Sequence, residues 1–164
     1  MRPLVSLDCL LAATSAAAGS FECTLDGAPW TTKAPFIFLS SAEGRPTLYV
    51  QVNANRSPSL SLAVDWAPLK GPGKAVVDAG ASDGGPPAIA GNFSERYEKP
   101  VPTPEDLAAA ERRRVRVIGG RVEWEATGAS LASLSFSITA ASADGKGRRV
   151  IECRGADLPW QTNP

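Results

Sequence analysis

The sequence predicts an all-β fold, an antiparallel β-sandwich or a small barrel, with one short helix near residues 104–113. Three observations lead there. Apolar and polar residues alternate over short runs, the period of a half-buried strand. Fifteen glycines and fourteen prolines punctuate those runs. Asp-Gly and Gly-Gly pairs stand between them, where tight hairpins need positive φ. At 164 residues the chain is one domain by length and long enough to bury a core.

Residues 1–20 read as a secretory signal, with Arg2 as its positive start, an apolar stretch from Leu4 to Ala18 and small residues Ala16-Ala17-Ala18 for cleavage. This predicts export to a periplasmic or extracellular space. Asp8 before Cys9 argues against lipid anchoring through that cysteine, because lipidation favours a small residue there. Removal of the signal leaves Cys23 and Cys153, an even count that favours a disulfide in an oxidising compartment over two buried thiols. The domain is expected over 21–156, with a Gly/Pro-rich irregular insert at 68–103 and a tail at 157–164.

The first strand is Phe21-Glu22-Cys23-Thr24-Leu25, with Phe21, Cys23 and Leu25 on one face, ending at an Asp26-Gly27 turn before Trp30. Phe36-Ile37-Phe38-Leu39 is a continuous apolar run, the mark of a strand buried on both faces. Leu48, Val50 and Val52, then Leu60, Leu62, Val64 and Trp66, share faces of an antiparallel pair. Strand candidates in the insert are short, Ala75-Val76-Val77 and Ile89 to Phe93. Thr103 as N-cap, Pro104 at the first helical position and Asp106 three residues after the cap begin a helix that runs to about Arg113.

Gly119-Gly120 lies between two alternating runs and predicts a two-residue hairpin. That turn would set Val117 against Val122, Val115 against Trp124, Arg116 against Glu123 and Arg114 against Glu125. Leu134, Phe136 and Ile138 form one face of a long strand, and a turn at Asp144-Gly145 sets Ile138 against Ile151 and Phe136 against Cys153. The closing strand, Arg149 to Cys153, is expected beside the first.

The absence of histidine removes imidazole bases, Ser-His-Asp and Cys-His nucleophile pairs, and His-ligated metals. Lysine plus arginine equals aspartate plus glutamate, 17 each, so no global field draws in nucleic acid. Arg112, Arg113, Arg114 and Arg116 are explained by a helix end and the hairpin's glutamates. Residues 78–85 hold aspartates and glycines but lack the ligand spacing of a calcium loop. No cofactor or metal is expected, no run is long enough to span a membrane, and a monomer is expected. Trp66 and Trp124 are expected in the core. The candidate ligand-binding residues are Trp30 and Trp160, aromatics beside prolines near the two chain ends, with Asp65 and Tyr97.

The opening Phe21-Glu22-Cys23-Thr24-Leu25-Asp26-Gly27-x-x-Trp30 resembles that of a group of uncharacterised secreted or lipid-anchored bacterial β-domains whose mature chains begin F-x-[AC]-x-[VL]-D-G-x-x-W. A Gly-x-Val-x-Trp strand at Gly120 to Trp124, a Phe-containing strand around Phe136 and a closing strand ending in Gly155 are similar as well. The resemblance covers the two ends of the chain and implies an exported β-domain, with no catalytic residues to carry over. The function expected is a non-catalytic module that binds a small molecule, glycan or protein through the loop at 68–102. The alternatives are a hydrolase using Asp65 with Glu98 or Glu105, and a structural envelope or surface component.

Overall fold

A computed structural model describes residues 19–40, 46–54, 56–66, 71–77, 87–95, 103–105, 114–128, 130–143, 145–159 and 161–162. Their strands are β1 (Phe21–Leu25), β2 (Ala28–Trp30), β3 (Phe36–Ser40), β4 (Thr47–Val52), β5 (Ser59–Asp65), β6 (Gly71–Val77), β7 (Ile89–Ser94), β8 (Val115–Ala126), β9 (Ser130–Ala141), β10 (Arg149–Pro159) and β11 (Gln161–Thr162). Hydrogen bonds join them into one sheet in the order β11-β3-β4-β5-β7-β8-β9-β10-β1-β2, with β6 paired to β8 off this path. Every pair is antiparallel except β11 with β3. Because β11 follows β10 after one residue, the chain leaving one side of the sheet bonds to its opposite edge, and the sheet curls into a half-barrel.

Alternation decides what the half-barrel encloses. Leu48, Val50 and Val52 of β4 and Leu60, Leu62 and Val64 of β5 are all buried, in the register Leu48↔Val64, Val50↔Leu62, Val52↔Leu60. Ile138 faces Ile151 and Phe136 faces Cys153, as the sequence predicts, although β9 and β10 part at Ala141 and Arg149, short of a two-residue turn. Trp66 stacks on Trp124 with ring centroids 4.8 Å apart, and both are core.

Four sequence expectations are corrected. Gly119-Gly120 does not turn the chain: β8 is one twelve-residue strand through it. Before the glycines β8 pairs with β7 (Phe93↔Val115, Asn92↔Arg116), and from Gly120 onward with β6 (Val77↔Gly120 to Gly71↔Ala126). A bulge against β9 falls between Val117 and Gly119. Gly120 has φ +141°, and a Cβ there would stand 2.5 Å from the Ser137 carbonyl oxygen, so close approach is the reason for glycine. Arg116 therefore lies opposite Asn92, and Glu123 lies between Lys74 and Ser135, with Arg121 3.8 Å away as its ion partner.

Phe36–Leu39 is not buried on both faces; Ile37 is core, but Phe36 is 44 % exposed, because only one side of β3 meets the interior. The irregular insert contains a seven-residue strand, β6, despite its Gly-Pro-Gly start. Gly73 lies opposite Trp124, whose indole would come within 2.5 Å of any Cβ at position 73; the glycine makes room for the ring. Finally, residues 157–159 continue β10, Leu158 is fully buried, and β11 follows, so the expected tail is part of the sheet. The helix expected at 104–113 is described only at Pro104 and Glu105, which are helical; its remainder, the signal segment 1–18 and the residues at 78–85 lie outside the described residues.

Candidate functional site

The β1–β2 hairpin turns at Asp26 (φ +53°) and Gly27 (φ +81°), the paired positive φ of a type I′ turn. Asp26 locks the turn to β10. Its N–H donates to the Val150 carbonyl at 2.8 Å, and its Oδ1 accepts from the Val150 N–H at 2.8 Å. Arg149 Nη1 donates to Asp26 Oδ2 at 3.2 Å while its Nε donates to Glu95 Oε1 at 2.6 Å. The hydrogen bond and charge of Glu95, helped by Asp26, hold the Arg149 guanidinium pKa above its ordinary value.

Within this clamp the register sets Cys23 opposite Cys153 on one side and opposite Trp30 on the other. Cys23 and Cys153 are joined by a disulfide across 130 residues, with Cα atoms 4.1 Å apart. Trp30 is 8 % exposed, and its ring meets Phe93 of β7 edge-on, with centroids 6.1 Å apart at 82°. Beyond β2 the chain is pinned by Asn53, which has φ +54° and stands at the end of β4. Its Oδ1 accepts from the Lys33 N–H at 3.1 Å, and its Nδ2 donates to the carbonyls of Pro58 at 3.2 Å and Thr31 at 3.4 Å.

These elements bound a cleft of about 710 Å³, lined by Phe21, Glu22, Cys23, Thr24, Pro29, Trp30, Thr31, Thr32, Glu152, Cys153 and Arg154. Two of its polar atoms are buried without a hydrogen-bond partner among the described residues, Trp30 Nε1 and Thr24 Oγ1. An unpartnered buried donor costs about 1–3 kcal/mol, and Trp124 Nε1 is buried in the same way. The charged groups of the lining are already engaged: Arg154 Nη2 donates to Glu22 Oε2 at 3.0 Å, and Glu152 Oε1 accepts from Ser137 Oγ at 3.3 Å. A second depression, about 520 Å³, lies over Pro72, Gly73, Lys74, Glu123, Trp124, Glu125, Ser133 and Ser135. No cluster of three or more potential metal ligands occurs among the described residues.

Of the residues singled out in the sequence, Trp30 lines the cleft. Asp65 is exposed at the end of β5, opposite Thr47, and lines neither depression. Trp160 and Tyr97 lie outside the described residues, as does Glu98, and Glu105 is exposed. Sequence reasoning missed Thr24, Thr31, Thr32 and Asn53. Asn53 carried one signal, an asparagine directly after a strand, a residue type that tolerates left-handed φ. No helix of the described residues is long and apolar enough to cross a membrane. Searches of protein-family models, curated proteins and solved structures found no match to this chain.

Proposed function

We propose that the protein is an exported, non-catalytic binding module of the bacterial β-domain type that its ends resemble, and that its ligand site is the cleft lined by β1, β2 and β10. The observation that carries this reading is a cleft of about 710 Å³ lined in part by Trp30, whose buried indole N–H has no hydrogen-bond partner among the described residues. The size suits a small molecule, and the lining combines apolar surface from Phe21, Pro29 and Trp30 with the hydroxyls of Thr24, Thr31 and Thr32. The ligand is a small molecule with a hydrogen-bond acceptor for Trp30 Nε1 and an apolar part for the rings. The disulfide is compatible with an oxidising compartment, which supports export. The hydrolase alternative gains nothing from the cleft, because Glu22 and Glu152 are both held by neighbours rather than poised as an acid and a base.

The test is an NMR screen of ¹⁵N-labelled protein against small amides, carbonyl compounds and carboxylates, reading the Trp30 indole N–H. Binders are expected to shift that resonance, assigned through Trp30→Phe, and to lose at least about tenfold in affinity with Trp30→Phe, the equivalent of one hydrogen bond left unmade. Binders that shift only other indoles, or that bind Trp30→Phe equally well, would place the site elsewhere.

A further inference from the structure

The outer surface of β3, β4, β5 and β7 differs from the rest of the sheet. On it Phe38 stacks on Tyr49 with ring centroids 4.7 Å apart and planes 7° from parallel, and Phe36 lies 5.5 Å from Phe38. The next residues along the Phe38–Tyr49 row are Ala63 and Ala90, so the aromatic stack ends in a step down to a floor of small side chains. One row away, Phe36, Gln51, Ser61 and Asn92 lie in register. No hydrogen bond engages the side chains of Gln51, Ser61 or Asn92 among the described residues.

Charge selects the occupant. In these four strands Asp65, at one end, is the one charged side chain. Arg116 of β8 borders the second row opposite Asn92, while Arg121, Glu123 and Glu125 lie further along β8, and Arg149, Glu152 and Arg154 lie on β10. Among the described residues of this row, an anionic membrane or an acidic polymer would meet a single basic group, Arg116, at the border of the face and not a basic patch. A wholly apolar partner would bury the amides and hydroxyl of Gln51, Ser61 and Asn92 unpaired, at a cost for each. A ligand with apolar C–H faces and many hydroxyls satisfies both rows, stacking on the rings while it bonds the amides.

We infer that the outer face of β3–β4–β5–β7 is a second binding surface, independent of the cleft, that takes a neutral polysaccharide chain. The rings of Phe36 and Tyr49 receive sugar C–H faces, and Gln51, Ser61 and Asn92 bond the hydroxyls. Affinity electrophoresis tests this with mixed-linkage β-glucan, xyloglucan or galactomannan in the gel and polygalacturonate as the anionic control. Retardation is expected with at least one neutral polymer and not with polygalacturonate. Phe36→Ser should weaken it about fivefold, the scale of one aromatic contact, with an unchanged unfolding temperature because that ring is outside the core. The double variant Gln51→Ala/Asn92→Ala should weaken it as well, and Trp30→Phe should not. The inference is overturned if none of the three neutral polymers retards the protein or if Phe36→Ser is retarded like the parent. It is overturned equally if the protein is a dimer that Phe36→Ser converts to a monomer, which would make a second copy the occupant.

Discussion

Replacing Cys23 and Cys153 together by alanine removes the covalent link between β1 and β10 and tests how the domain is closed. The bridge spans 130 residues of sequence. A loop of that size gives up about 5 kcal/mol of unfolded-state entropy in the chain-entropy model. Residual compactness of the denatured chain lowers the figure to about 3–5 kcal/mol. Lost packing of two buried sulfurs adds to it, since Cys23 and Cys153 lie in the core beside Trp30 and Phe136. The assay is equilibrium urea unfolding of the oxidised protein and the double variant, followed by tryptophan fluorescence. With a slope of about 2 kcal/mol/M, the midpoint should fall by about 2 M, and the slope should rise as the unlinked chain expands. A loss below about 1 kcal/mol at unchanged slope would refute the reasoning, because it would mean the unfolded chain gains no freedom from losing the link.

Other substitutions probe the packing that positions the two surfaces. Gly73→Ala drives a Cβ into the Trp124 indole and should cost about 1–3 kcal/mol, with a change in the near-ultraviolet circular dichroism of the Trp66–Trp124 stack. Gly120→Ala meets both a positive φ and the Ser137 carbonyl, and chemical denaturation should show a loss of at least about 2 kcal/mol. Arg149→Ala releases Asp26 and Glu95; a charge-assisted network discounted for its exposure gives about 1–2 kcal/mol, shrinking as salt is added. Because the folded-state pKa of Arg149 is raised, its contribution is complete below the unfolded value and is lost only as strongly alkaline pH passes through the folded one. With no histidine in the chain, unfolding midpoints should stay nearly flat between about pH 6 and 8.

Strand faces were legible in the sequence wherever one side of a strand meets water. The alternation of Leu48 to Val52, Leu60 to Val64 and Leu134 to Ile138 states both face and register, and the cysteines name the strands that close the domain. Glycine was the ambiguous letter. At Asp26-Gly27 it makes a turn, at Gly120 a bulge pressed against Ser137, and at Gly73 room for a ring from another strand. Only the first of these depends on neighbouring residues alone. The cleft was half visible: Trp30 stood out beside its proline, but the cleft it lines is formed by segments more than a hundred residues apart. The aromatic outer face was hidden because Phe36 and Phe38 read as core when the curvature of the sheet is unknown.

The most direct measurement is an intermolecular NOE from the Trp30 indole proton to a small molecule bound in saturating amount, recorded on the ¹⁵N-labelled, disulfide-intact protein. A ligand seated in the cleft lined by β1, β2 and β10 should give that NOE together with contacts to the Thr24 and Thr31 methyls. A saturated complex with no NOE to Trp30, and an indole proton that still exchanges with water as in the free protein, would contradict the assignment of the cleft as the binding site.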